Sequence, residues 1–254
     1  MSREKAEITL SDRSQMNNFV RFNSNPVDLS QPYTHEMLSL PPFGRPEFTS
    51  CMHPLSGTEF RIGHISMSTH TGTHIDFPVH LLANGKSQED FLPADFVGAA
   101  VVIDLSGLVK TAQEAGAYDG VIAITPDDLI AAGPEIIDGD IVLLHFGYSE
   151  LFQSDRYRNQ HPYLSESAAE YLVSKRVKIL GLDLQTPDLP ASKRGEGFTF
   201  PIHEILLSSD CLIIENLGPG VRTILGMRVF LVAAPLCIPE GDGSPVRPFA
   251  WIYE

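Results

Sequence analysis

Residues 70–80, HTGTHIDFPVH, set three histidines and an aspartate at even-numbered positions: His70, His74, Asp76 and His80. Neutral imidazoles and a carboxylate brought together suit a divalent transition metal such as Zn²⁺ or Mn²⁺. The stretch does not read as a helix. Pro78 removes an intrahelical hydrogen bond, Gly72 is a poor helix former, and Thr71, Thr73 and Ile75 are β-branched. In an extended chain successive side chains alternate, so all four donors project to one side. Drawn straight, ten residues at about 3.3 Å each would spread them over roughly 33 Å, whereas ligand atoms sit about 2 Å from a metal. The segment must therefore bend, and Gly72 and Pro78 are placed to let it. One histidine beside an apolar strand is ordinarily a hydrogen-bonded structural residue; four donors on one side point to a ligand set. The helical H-E-x-x-H pattern of zinc proteases does not fit, because HTGTH lacks the glutamate and cannot stay helical.

The elements that must hold these residues are legible in outline. RIGHISMSTH (61–70) alternates as a strand running into the histidine cluster, and AAVVIDL (99–105) is the continuous apolar run of a strand buried on both faces. TPDDLIAAG predicts a short helix with Thr125 as N-cap, Pro126 in the first helical position and Gly133 as the stop. DIVLLHF, VKILGLD and CLIIEN read as strands; SESAAEYLVSK reads as a helix burying Ala168, Ala169, Leu172 and Val173, and PIHEILLSS as a helix opened by Pro201. Strands and helices alternate from about residue 139 to 215, which predicts right-handed crossovers and a parallel sheet, with a further strand in RVFLVAAPL. The first third is strand- and loop-rich, so a second, antiparallel layer is expected. PYTHEMLSLPPFGRPEF (32–48) carries four prolines and reads as a loop lined with apolar groups.

Composition bounds the rest. A chain of 254 residues with 43% hydrophobic content can bury one sizeable core. We expect an N-terminal arm over 1–26 and a single domain over 27–254, with no repeats and no low-complexity linker. With 18 Lys and Arg against 32 Asp and Glu, the formal charge of −14 disfavours nucleic acid, whose binding needs a basic stripe. The opening MSREKAEITLSDRS lacks an apolar signal core, and no run reaches the roughly 20 apolar residues of a membrane span. A cytoplasmic protein is expected, its Cys51, Cys211 and Cys237 being free thiols.

At this point the sequence resembles the cyclase-like metal-dependent hydrolases, which include bacterial kynurenine formamidases and isatin hydrolases. The resemblance runs from VDLSQPY near residue 27 to the C-terminal GDGSPVRPFAWI. It rests on the H-x-G-T-H-x-D-x-P-x-H pattern of His70, Gly72, Thr73, His74, Asp76, Pro78 and His80. A second element is His203 in PIHEILL followed twelve residues later by Glu215 in IIENL. Taken alone, His203 is an ordinary first-turn helix residue and Glu215 a strand-end charge. Even so, a residue at the carboxyl end of a parallel strand lies where ligand sites of such sheets form.

The resemblance implies a three-layer β/β/α domain of the swivelling type, with a parallel central sheet and a second antiparallel sheet. It implies one or two divalent ions, Zn²⁺ or Mn²⁺, held by His70, His74 and Asp76 with His203 on a second ion, Asp76 and Glu215 bridging, and His80 as acid and base. It also implies a homodimer or homotetramer in which the N-terminal region reaches a neighbouring subunit. The expected activity is hydrolysis of a small-molecule C–N amide by a metal-activated water, with an aryl formamide such as N-formylkynurenine as substrate. The alternatives are a cyclic amide or lactone such as isatin, and a metal-binding protein without turnover. A serine hydrolase is disfavoured by the lack of a G-x-S-x-G elbow. The chain departs from the formamidases where they carry Trp-Pro-Gly; here LSLPPFGRPEF offers Leu40, Pro41 and Phe43 as a different apolar wall for the substrate. Gln185 replaces the serine expected after GLD and bears on pocket polarity, and His145 in LLHFGY reads first as a structural strand-end histidine.

Overall fold

The computed structural model describes residues 25–37, 44–55, 57–114 and 121–252. The expected N-terminal arm up to residue 24, and the loop residues Leu40, Pro41 and Phe43, lie outside them. From the N-terminus come β1 (Val27–Asp28), the long pair β2 (Glu47–Leu55) and β3 (Thr58–Ser66), β4 (His74–Asp76) and β5 (Val97–Asp104). Helix α1 (Ser106–Glu114), β6 (Ala123–Ile124) and α2 (Pro126–Ala132) lead to β7 (Ile141–His145). Next, α3 (Asp155–Asn159), β8 (Tyr163–Leu164) and α4 (Glu166–Ser174) lead to β9 (Ile179–Leu182), and α5 (Pro201–Leu207) leads to β10 (Leu212–Glu215). Strands β11 (Arg228–Val232), β12 (Gly243–Pro245) and β13 (Phe249–Ile252) follow.

Nine strands form one sheet in the order β1-β13-β11-β5-β7-β9-β10-β4-β12. The expectation of a parallel central sheet holds only for its middle. Strands β5, β7, β9 and β10 pair in parallel, while β11 beside β5 and β4 beside β10 run antiparallel, so the sheet is mixed. The reason lies in the connections: helices carry the chain across between the middle strands, whereas the flanking strands arrive through loops and turns that impose no parallel return.

Strict alternation divides the core in two. Val101, Ile103, Val142, Leu144, Leu180, Leu182 and Ile213 meet the apolar stripes of the helices, including Leu129, Ala168, Leu172, Ile202 and Leu206. Their neighbours Ala100, Val102, Ile141, Leu143, Ile179, Leu212 and Ile214 meet Leu29, Ile75, Val229, Leu231 and Ala250 instead. Those last residues belong to or adjoin the sheet's own outer strands, so the sheet curls and its ends cover its second face. Hydrogen bonds from Gly218 N to Leu29 O (2.7 Å) and from Gln31 N to Thr73 Oγ1 (2.7 Å) tie the two ends together. The separate antiparallel sheet consists of β2 and β3 alone, and its described side chains are exposed except for Phe48, which is half-buried.

Local signals worked as their chemistry requires. Thr125 caps α2 in a reciprocal box with Asp128, Pro126 takes the first position and Gly133 ends the helix. Ser165 accepts from Ala168 N at the start of α4, whose buried residues are Ala168, Ala169 and Leu172, Val173 being half-buried. No helix among the described residues is long and apolar enough to cross a membrane.

Candidate metal centre

The segment 70–80 bends where expected, but less of it is extended. Only His74–Asp76 is strand; Gly72 turns with φ +64°, and Pro78–His80 closes into a 3-10 turn. Gly72 is required twice over, by its positive φ and because a Cβ there would lie 2.6 Å from the Met37 side chain. Asn216, just beyond β10, locks the bend: its amide donates to Gly72 O (2.8 Å), and its carbonyl accepts from Thr73 Oγ1 (2.7 Å). Tyr157 Oη donates to the Asn216 side-chain oxygen, and Tyr33 Oη donates to Thr73 O.

Register then brings distant residues together. Strand β4 lies antiparallel to β10 with His74 opposite Glu215 and Asp76 opposite Ile213. Side chains of directly opposed residues share a face, and Ile75 and Ile214 take the other face into the core. His74 Nε2 therefore lies 3.5 Å from Glu215 and 3.3 Å from Asp76 Oδ1. Strand β12 lies on the far side of β4 with Gly243 opposite Asp76. A Cβ on Gly243 would stand 2.6 Å from the His70 ring, so only glycine leaves that ring its place. His70 Nδ1 then meets Asp76 Oδ1 at 2.7 Å, and its Nε2 meets Asp242 at 3.0 Å.

His203 comes from the first turn of α5. Asp188, fully buried, accepts from the backbone amides of Ile202 (2.9 Å) and His203 (3.1 Å), capping a helix whose own N-cap, Phe200, supplies no side-chain bond. The same carboxylate takes His203 Nδ1 at 2.6 Å, which leaves Nε2 3.6 Å from Asp76 Oδ2 and 3.4 Å from Glu215 Oε1. His74 is oriented likewise, with Nδ1 at 2.8 Å from Gly72 O. His80 completes the group, its ring 3.9 Å from that of His70 and its Nδ1 3.7 Å from Asp242. All six residues expected from the sequence, His70, His74, Asp76, His80, His203 and Glu215, line one cavity of about 150 Å³.

The donor set fits a cation. With Nδ1 of His74 and of His203 committed as donors, both Nε2 atoms turn lone pairs toward Asp76 and Glu215, two nearly inaccessible carboxylates. Acceptors facing acceptors out of water need positive charge between them. Protons supply it in the protein alone. Burial disfavours a charged His203, yet Asp188, Asp76 and Glu215 hold its pKa well above the ordinary value. His70 is lifted to about 9 against its burial by Asp76 and Asp242. Burial would raise Asp76, but His74, His203 and His70 keep it well below the carboxylate range. Burial raises Glu215, with His203 only partly offsetting it. A divalent ion supplies the same balance without protons. Two compact donor groups share Asp76, namely His70–Asp76–His80 and His74–Asp76–Glu215.

Other expected residues are placed as follows. Gln185 lines the cavity, and its Oε1 is buried with no partner. His145 is buried at the end of β7, on the face opposite Glu215. Its Nδ1 lies 3.0 Å from Asp183 Oδ2, but at an angle that makes no hydrogen bond. Asp188, Asp242, Asn216 and Arg194 do not stand out in the sequence. Only the Gly-Asp-Gly setting of Asp242 hints at a special loop, and its contact with His70 spans 172 positions.

Comparison with known proteins places the chain in a family. Residues 27–189 match the Cyclase family model, described as "Putative cyclase". A kynurenine formamidase of Bacillus cytotoxicus is 30% identical over 228 residues, covering 87% of this chain and 94% of that protein. Isatin hydrolase A of Labrenzia aggregata, solved with benzyl benzoate bound, superposes with a TM-score of 0.76 at 26% identity, covering 91% of this chain and 94% of its own. A structure described as a potential metal-dependent hydrolase with cyclase activity gives 0.68 at 27% identity, covering 91% and 98%. The chain is a hydrolase, and it belongs to the Cyclase family.

Proposed function

We propose that this hydrolase cleaves a C–N amide bond with the help of one or two divalent ions, Zn²⁺ or Mn²⁺, held by His70, His74, Asp76, His203 and Glu215. The observation that carries the reading is the convergence of His74 and His203 Nε2 on Asp76 and Glu215 within 3.6 Å, each ring held from behind at Nδ1. A bound ion supplies Lewis acidity, lowering the pKa of a water and polarising a carbonyl. His80 is the acid and base. Burial lowers its pKa, so its imidazole is neutral near pH 7; Nδ1 faces Asp242, leaving Nε2 to take a proton from water and return it to the leaving amine. Phe152 and Phe200 on the cavity wall suit an aromatic ring, and with the formamidase relatives this favours an aryl formamide such as N-formylkynurenine. The isatin hydrolase likeness favours a cyclic amide as the second reading. We assign the protein to a reducing compartment, the cytoplasm, in keeping with its three free thiols.

We also infer self-association into a homodimer or homotetramer. A lone two-stranded hairpin is marginal in water, and β2–β3 exposes Met52, Phe60, Ile62 and Ile65. The test of function is elemental analysis of protein purified without chelator, paired with turnover of N-formylkynurenine and isatin. Stoichiometric metal with faster formamide hydrolysis upholds the first reading. Faster isatin opening upholds the second, and metal without turnover of either amide defeats both.

A further inference from the structure

We propose that Arg194 is a substrate-recognising residue that pairs with a carboxylate, so that the preferred substrates are amides already carrying an anionic group away from the scissile bond. The proposal rests on the amide-hydrolase reading above and names the substrate class of the same site. Arg194 lines the cavity that holds the histidine cluster, and among the described residues it is the one Arg or Lys there. Its guanidinium stacks over Phe200 at 4.5 Å and Phe198 at 5.2 Å, and its Nε donates to Leu189 O at 2.7 Å. Phe200 in turn packs edge-on against His203 at 5.9 Å, so one aromatic ring separates the guanidinium from a proposed ligand. Phe200 also holds a left-handed backbone, φ +57°, a conformation that persists in a non-glycine residue only when its surroundings impose it.

What is missing is a direct ion pair. Arg176, Arg222, Arg228 and Arg247 each hold a carboxylate, in a chain with a large excess of acids. Arg194 is half-buried; Asp188 and Glu215 act on its charge from a distance, but both are engaged by His203 or His74, and no described carboxylate forms an ion pair with it. Its Nη atoms, with Nε fixed and the plane stacked, present the fork that matches a carboxylate. Gln185 also lines the cavity, and its buried Oε1 has no donor, an acceptor for an amide N–H. A ligand bringing an N–H and a carboxylate satisfies both.

The test uses the full, metal-loaded chain with N-formylanthranilate, which carries a carboxylate, and formanilide, which does not. The wild type is expected to favour N-formylanthranilate in kcat/KM by roughly tenfold or more, the size of one charge-assisted hydrogen-bonded pair. In Arg194→Gln that ratio falls toward one, mainly through KM, and Arg194→Lys recovers part of it. An unchanged ratio in Arg194→Gln overturns the proposal. If the wild type hydrolyses neither formamide, the aryl-formamide reading fails, and Arg194 is judged by calorimetry with anthranilate and aniline. Anthranilate binding that weakens about tenfold in Arg194→Gln, with aniline as reference, upholds the role; equal or absent binding in both proteins overturns it.

Discussion

His74 gives its Nδ1 proton to a carbonyl and His203 gives its own to a carboxylate, and these two hydrogen bonds decide which nitrogens face the centre. The residue types were legible in the sequence; the partners Gly72 O and Asp188 were not, because tautomer and ring orientation depend on contacts that only folding makes. At this scale roles separate cleanly by mutation. Asp76→Ala is expected to lose metal, read by elemental analysis of the purified variant. His80→Ala should keep metal while kcat falls by roughly 10²- to 10⁴-fold, the range of a general acid or base; normal turnover in that variant would refute the role. A buried histidine outside the site gives a test of stability. Burial lowers His161 from 6.5 to about 4, so the unfolded chain takes up the proton first on acidification. Its contribution is full above pH 6.5 and is lost as pH falls toward 4, on the order of 3 kcal/mol. Urea unfolding at pH 7 and pH 4.5 should show a smaller acid loss in His161→Leu than in the wild type.

Strands β4 and β12 are three residues each, yet they place most of the centre through register alone. A shift of one residue would turn His74 and Asp76 into the core and Ile75 out of it. The sequence announced the long, strongly patterned elements, including α2 with its cap and the four middle strands, because capping and burial on both faces are written in neighbouring residues. It did not announce that β11 and β4 run antiparallel to that middle, since direction depends on how loops return. Gly243 tests the arrangement. Gly243→Ala puts a methyl group against the His70 ring and is expected to lower metal content and kcat/KM by tenfold or more. After dialysis against chelator the variant and the wild type should melt alike by circular dichroism, because that strand is otherwise untouched. Wild-type metal content and activity in this variant would show that His70 has more room than its 2.6 Å clearance allows.

For the molecule as a whole, the proposed metal and the proposed self-association would both bear on stability. Dialysis against chelator should lower the melting temperature on the order of 10 °C, restored by Zn²⁺ or Mn²⁺, because a ligand bound only to the native state stabilises it by mass action. Sedimentation equilibrium should give a mass two or four times 27.9 kDa, and Phe60→Asp with Ile62→Asp on the exposed hairpin should move it toward one. A monomeric wild type would leave those apolar side chains without a role in self-association. The order of residue types sufficed to establish an α/β chain and a bent segment gathering His70, His74, Asp76 and His80, since chemistry and short-range geometry are local properties; His203 and Glu215 entered only through the family resemblance. Folding alone decided that the sheet is mixed and curls over its own face, that His74 stands opposite Glu215, and that Asp188, Asp242 and Arg194 join the site. Those contacts span from a few residues to well over a hundred, and their energy depends on packing and register that neighbouring residues do not encode.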